Sequence, residues 1–213
     1  MKTTTANRLI LVSIVLMVLV GAYVYPALPG QVASHWNADG DVNGVMGRFW
    51  GVFLLPLLSV FLWLLFLVIP RIDPLRENIV QFRPVFNQFW VAVQVFLVYV
   101  FLLTLTWNMG ARFDMTAAIL PGVAVLIYVA GMLMERTKRS WFIGIRTPWT
   151  LSSDVVWEKT NRLGGKLFRW SSLFVIAGAV IGGDVAVLLS ILPIVGSALW
   201  SMVYSYLEYR KLS

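Results

Sequence analysis

Few side chains in this sequence can do chemistry. There is one histidine, His35, and no cysteine, so thiol catalysis, disulfides and thiolate metal sites are excluded together. The same count excludes a zinc site built on several histidines and any second catalytic imidazole. The polar groups that recur at short intervals fall in two segments. In the first, Asp39-x-Asp41-x-Asn43-Gly44 sets oxygen atoms at alternate positions before a glycine, as in the first half of a calcium loop. The Glu that closes such a loop should fall at position 50, which is Trp50. A plain polar turn is the better reading, with His35 satisfied by neighbouring turn carbonyls; a calcium site, or His35 as a pH-sensitive contact or ligand, is the sharper alternative. In the second, Arg146, Thr147, Asp154 and Asn161 are the groups from which a catalytic site would have to be drawn. Arg146 has Asp154 and Glu158 as candidate ion partners, and a phosphate as a third.

The elements that carry these segments are membrane spans. Of 213 residues, 59% are hydrophobic and 13% charged, with mean hydropathy +0.80, a composition with too little polar surface for a soluble domain. Apolar runs cover residues 9–25, 49–69, 85–107, 117–134, 167–181 and 185–206, each near the length that crosses a ~30 Å hydrocarbon core. Gly182-Gly183-Asp184 splits the last two. The first run lacks a small-x-small cleavage site and reads as an uncleaved span. The expected fold is therefore all-α and polytopic with about six transmembrane helices in the cell (inner or plasma) membrane. Residues 1–26 form the first helix, 27–48 an extracytoplasmic loop, 49–134 helices two to four, 135–166 a cytoplasmic loop, and 167–213 helices five and six with a short tail.

Charge sets the expected orientation. Of the 17 Lys and Arg residues, all but Arg48 and Arg112 fall at the termini or in the second and fourth loops. The positive-inside rule then places both termini in the cytoplasm. The net charge of +7 is accounted for by anionic lipid, with no direct nucleic-acid partner. The spans hold almost no ionisable group; their polar residues include Gln88, Gln94, Ser171 and Ser172. That argues against a proton- or ion-coupled transporter. Gly47-x-x-x-Gly51 and Gly178-x-x-x-Gly182 permit close helix packing within the chain, or alternatively a homodimer seam. Trp50, Trp107 and Trp170 mark span ends.

Both inter-span segments are longer than connection requires. The extracytoplasmic one reads as a short extended stretch and then a polar turn. In the cytoplasmic one, Pro148 bars a helix from continuing past Thr147. A short helix follows, capped by Ser152 or Ser153, favoured at its positive end by Asp154, and ended by Gly164-Gly165. Trp157 and Asn161 share one of its faces. Trp141, Phe142 and Trp149 interleave with cations, which suits a loop on the membrane surface or a docking surface for a cytoplasmic partner.

The stretch at 141–152, followed by Val156-Trp157-x-Lys159-Thr160-x-Arg162-Leu163-Gly164-Gly165, resembles the signature of the SdpI family of bacterial immunity proteins. Leu28-Pro29-x-x-Val32-x-x-His35-Trp36-Asn37-x-x-Gly40 is similar to the small extracytoplasmic module (DUF1648-like) that precedes it in that family. The resemblance implies a non-enzymatic membrane protein, without cofactor or bound metal, that protects its cell from a secreted membrane-active peptide toxin, the SDP killing factor. It implies further that a member can sense the toxin and draw an autorepressor to the membrane. Carried over residue by residue, it makes His35, Trp36, Asn37 and Asp39 toxin-facing. It makes Phe142, Gly144, Arg146, Thr147, Pro148, Trp149, Thr150, Ser152, Trp157, Lys159, Asn161, Arg162 and Gly164 the partner-docking surface. Two positions depart from the family: members often have His where this chain has Asn161, and Asn where it has Ser140. The competing classes are a membrane-embedded enzyme or small-molecule transporter with its site on the cytoplasmic loop, and a structural partner of a larger complex.

Overall fold

The computed structural model describes residues 1–212. Helix α1 (Thr3–Val24) ends in a single 3-10 turn, Tyr25–Ala27, and leads into strands β1 (Gln31–Trp36) and β2 (Val42–Gly47). Helices α2 (Arg48–Ile72), α3 (Arg76–Asn108) and α4 (Met115–Met134) follow, then the short α5 (Pro148–Ser152), α6 (Asp154–Ile181) and α7 (Gly183–Arg210). All but α5 are long and apolar enough to cross a membrane, and the chain is a multi-pass membrane protein.

The fold is almost entirely α-helical, as expected; the departure from all-α is an antiparallel hairpin between the first two spans, in which Gln31 pairs with Gly47 and Ala33 with Val45. Its first strand is the extended stretch expected before the polar turn. Its second contains Gly44 and Gly47, residues that carry little strand signal. The pairing is irregular between Ala33 and Trp36. There Gly44 packs on the His35 side chain, where a Cβ would stand 2.9 Å from the His35 Cβ.

Two further boundaries differ from expectation. Helix α3 begins well before the apolar run at 85, with non-helical torsions at Phe82 two residues ahead of Pro84. A proline inside a helix removes one backbone bond and crowds the preceding turn. Gly164-Gly165 do not end the helix that starts at Asp154; it runs on to Ile181. Those glycines face inward, while Glu158, Lys159, Arg162 and Lys166 lie exposed, so the amphipathic start of α6 looks like a loop to hydropathy alone. Ser153, rather than Ser152, caps it by accepting from the Val156 N–H.

The spans form two groups. Helices α1, α2 and α3 pack with the hairpin; α4 and α7 both pack on α6; α3 and α4 join the groups. One apolar cluster bridges them, with Ile10, Phe66, Phe82, Phe86 and Trp90 on one side and Leu133 and Ile143 on the other. In lipid, burying apolar side chains gives no advantage over leaving them in the tails, so small residues and interhelical hydrogen bonds take over. The second group shows this. A Cβ on Gly165 would stand 2.5 Å from the Gly131 carbonyl oxygen of α4, and one on Gly178 would stand 2.9 Å from the Ala186 carbonyl oxygen of α7. Ser171 and Ser197 hydrogen-bond across α6 and α7 at 3.0 Å, and Ser190, Ser197, Ser201 and Ser205 are buried along α7. Of the two GxxxG pairs, Gly178 is thus spent within the chain, and Gly51 is filled by the Val32 side chain of the hairpin.

Gly165→Ala should lower stability by about 1–3 kcal/mol, since the methyl forces α4 and α6 apart. Gly196→Ala, with open space at its Cβ position, should be neutral. Thermal midpoints of the two variants in detergent check this.

Candidate functional site

The residues singled out by the sequence gather at opposite ends of the bundle. At one end, the connection from α4 to α6 folds back over the start of α6. Asn161, buried on α6, organises it: its Oδ1 accepts from the Ile145 N–H at 2.7 Å, and its Nδ2 donates to the Trp157 carbonyl at 3.1 Å. Trp157 is equally buried and its indole N–H donates to the Thr137 carbonyl at 3.1 Å. Gly144 lies between them with φ +101°, and a Cβ there would stand 2.6 Å from Asn161 Oδ1. Only glycine satisfies both constraints. The shared face of Trp157 and Asn161 is therefore an inward one.

Pro148 opens a helix here. Thr147 caps α5 in a reciprocal box with Thr150, whose hydroxyl accepts from the Thr147 N–H at 2.8 Å. The Thr147 hydroxyl also meets Ser205 of α7 at 3.0 Å, and Thr150 donates to the Ile145 carbonyl at 3.0 Å. Trp149 packs against Tyr206 of α7 with ring centroids 5.1 Å apart. Gly164 lets Ile145 pack onto α6, since a Cβ would stand 2.3 Å from the Ile145 Cδ1. Thr147, Thr150, Trp157, Asn161 and Gly164 are thus interior supports. Phe142, Arg146, Pro148, Ser152, Lys159 and Arg162 are exposed, and Lys159 also pairs with the buried Glu208 of α7 at 2.7 Å.

The expected pairing of Arg146 with Asp154 or Glu158 is not formed. Asp154 pairs with Arg139 at 3.0 Å and Glu158 with Lys138 at 3.6 Å. Arg146 instead donates to the Trp141 carbonyl at 2.7 Å, closing the loop on itself. Several supports came without a motif. Asp73, between α2 and α3, is buried and accepts from the Trp141 N–H at 2.9 Å and the Leu75 N–H at 2.7 Å. Asn78 of α3 donates to the Arg139 carbonyl at 2.8 Å. A lone acid and a lone amide at a span boundary give no spacing signal, and only contact across 61–68 residues reveals them.

At the other end lies the hairpin. His35 bonds the Asn43 side chain across the strands, in place of the turn carbonyls expected. Asn37 Oδ1 accepts from the backbone N–H groups of Asp39 and Asp41 at 3.1 and 2.8 Å, so its side chain builds the turn. Asp39 is exposed. Among the described residues, no three His, Asp or Glu side chains come together as metal ligands. The hairpin is fastened to the spans. Asn108 of α3 both accepts from the Ala33 N–H at 2.8 Å and donates to its carbonyl at 3.1 Å. Thr116 of α4 donates to the Asn37 carbonyl at 2.9 Å. Arg48 donates to the Leu28 carbonyl at 3.0 Å and lies over the Tyr25 ring. The Trp36 ring meets Trp107 edge-on, with centroids 5.4 Å apart.

Both ends correspond to known sequence families. Residues 136–205 match the SdpI/YfhL protein family. Residues 12–60 match a domain of unknown function, DUF1648. The chain is also similar along its length to the Immunity protein SdpI of Bacillus subtilis (strain 168), at 22% identity over 208 residues that make up 97% of each chain. No solved structure matches. The SdpI/YfhL region begins at the loop organised by Asn161 and runs to residue 205 within α7, and the DUF1648 region holds α1 from residue 12, the hairpin and the first half of α2.

Asn161→Leu removes the acceptor from a constrained Ile145 N–H. It should cost about 1–3 kcal/mol and speed amide exchange at residues 143–147 while leaving the hairpin amides protected. Hydrogen–deuterium exchange in detergent reads both regions at once.

Proposed function

We propose that this protein gives resistance to a secreted, membrane-active peptide toxin, with the hairpin end facing the toxin outside the cell and the Asn161-organised loop in the cytoplasm. The observation that carries this reading is the end-to-end similarity to an immunity protein, spanning 97% of both chains, with the hairpin and the signature loop both retained. The orientation rests on charge. The loop end gathers Arg136, Lys138, Arg139, Arg146, Lys159, Arg162 and Lys166, whereas the loops at the hairpin end hold Arg48 and Arg112, so positive-inside places the loop end in the cytoplasm.

Resistance needs no catalysis. A peptide that binds one arrangement of the bundle more tightly than another is held there in place of its lethal position, and shifts the bundle toward that arrangement. A signalling role follows the same logic at the opposite end. A cytoplasmic autorepressor would dock on the exposed members of the loop, Phe142, Arg146, Pro148, Ser152 and Arg162, while the buried members fix their positions. A homodimer would use the outward faces of the spans, since Gly51 and Gly178 are filled internally.

Expression in a toxin-sensitive host should raise survival in the presence of the SDP killing factor at least about tenfold; equal survival with and without the protein removes the immunity reading. The absence of cysteine makes single thiols informative. A cysteine at position 39 should react with a membrane-impermeant maleimide on intact cells, and one at position 146 only after lysis. The reverse pattern inverts the assignment of the two ends.

A further inference from the structure

Beside the α4–α6 contact lies a pocket of about 420 Å³ lined by Tyr128, Lys166, Arg169, Trp170 and Leu173. The last four follow the i, i+3, i+4, i+7 spacing and form one stripe of α6. Ala177 and Val180 continue the stripe, and Trp170, Leu173, Ala177 and Val180 are all exposed. Along the helix it changes from cation to indole to aliphatic. Lys166 stands just ahead of the apolar run at 167–181 and Trp170 just inside it, where indole rings favour the headgroup zone. The two cations differ. Arg169 is committed within the chain: it donates to Glu135 Oε1 at 3.2 Å and to the Tyr128 hydroxyl at 3.1 Å, and lies over the Tyr128 ring. Lys166 is exposed and, among the described residues, has no carboxylate within ion-pair distance. With Glu135 set against Arg169, the pocket keeps one positive charge.

We infer that this pocket is a binding site for one anionic phospholipid, with the phosphate at Lys166, the glycerol backbone beside Trp170 and Tyr128, and an acyl chain along Leu173, Ala177 and Val180. Position selects a lipid, because an apolar face left uncovered within a span meets the bilayer. Length agrees. Val180 lies 14 residues beyond Lys166, about 21 Å along the helix, which is half of a bilayer of about 40–45 Å with its headgroups. The stripe thus runs the depth of one leaflet. Charge selects which lipid. A zwitterionic headgroup carries its own cation and gains little from Lys166, whereas an anionic one pairs with a lysine that has no carboxylate of its own. Basic pockets between helices at a span end are suited to such headgroups. A free phosphate would meet the lysine and leave the stripe bare. A second copy of the chain would cover the stripe but bring another basic loop end against Lys166, and like charges facing each other oppose association.

The test uses the full chain in phosphatidylcholine nanodiscs that contain a trace of phosphatidylglycerol with a diazirine on its acyl chain. Adducts are mapped on peptides. Labelling should saturate and fall on residues 170–180 of α6. The same diazirine on phosphatidylcholine should label these residues about fivefold less, the worth of one lysine near the membrane surface. Lys166→Gln should lower phosphatidylglycerol labelling to the phosphatidylcholine level, and Lys166→Arg should retain it. Arg8→Gln, which removes an exposed cation at the start of the first span and outside this pocket, should leave it unchanged. Unchanged thermal midpoints confirm that the variants fold. Equal labelling by the two lipid probes overturns the inference, as does an equal loss in Lys166→Gln and Arg8→Gln, which would reduce the site to diffuse surface charge. Displacement of the probe by millimolar inorganic phosphate overturns it in favour of a soluble anion. A Leu173→Cys chain that forms a disulfide-linked dimer in the nanodisc overturns it in favour of a second copy.

Discussion

The close approach of α4 and α6 at Gly131 and Gly165 is the constraint on which the second half of the molecule depends. Lipid tails offer no hydrophobic penalty to drive helices together, so contact must come from backbones near enough for dispersion and for short polar side chains to reach across. With the helices this close, Glu135 at the end of α4 reaches Arg169 of α6 at 3.2 Å. The chain leaving α4 then has to double back over the start of α6. The fold-back brings Ile145 onto Asn161 and Thr147 onto Ser205. The serine-lined face of α7 continues the same logic, using small hydroxyls where a larger residue would push the helices apart.

This packing divides the family signature into two kinds of residue. Gly144, Thr147, Thr150, Trp157, Asn161 and Gly164 are occupied with one another or with neighbouring helices, and their identities follow from space and hydrogen bonding. Phe142, Arg146, Pro148, Ser152 and Arg162 remain at the surface. A long, unusual motif is thus mostly a description of how one loop is held. At Asn161 an amide's acceptor and donor serve the Ile145 N–H and the Trp157 carbonyl together.

The sequence made the six spans and the two informative segments legible because long apolar runs and loop charge are one-dimensional signals. The hairpin was half legible: alternation and an Asn-rich turn announced β1, while the glycines of β2 hid its partner. The start of α6 was legible from its cap, but its exposed cations hid its continuity with the fifth span, and its glycines read as a stop when Gly164 makes room for Ile145 and Gly165 for Gly131 of α4. Asp73, Asn78, Asn108 and Glu208 were invisible for a different reason. Each does its work across a gap in sequence, and nothing in the local pattern sets it apart from a solvated polar residue at a span end.

Helix α3 is fastened at both extremities. Near its C-terminus Asn108 grips the hairpin backbone at Ala33, and near its N-terminus Asn78 grips the Arg139 carbonyl. Thirty residues of helix separate these two amides, about 45 Å at 1.5 Å per residue. One helix therefore ties the hairpin end of the bundle to the loop end, and any displacement carried along it from the hairpin meets the non-helical turn at Phe82 before it reaches the loop.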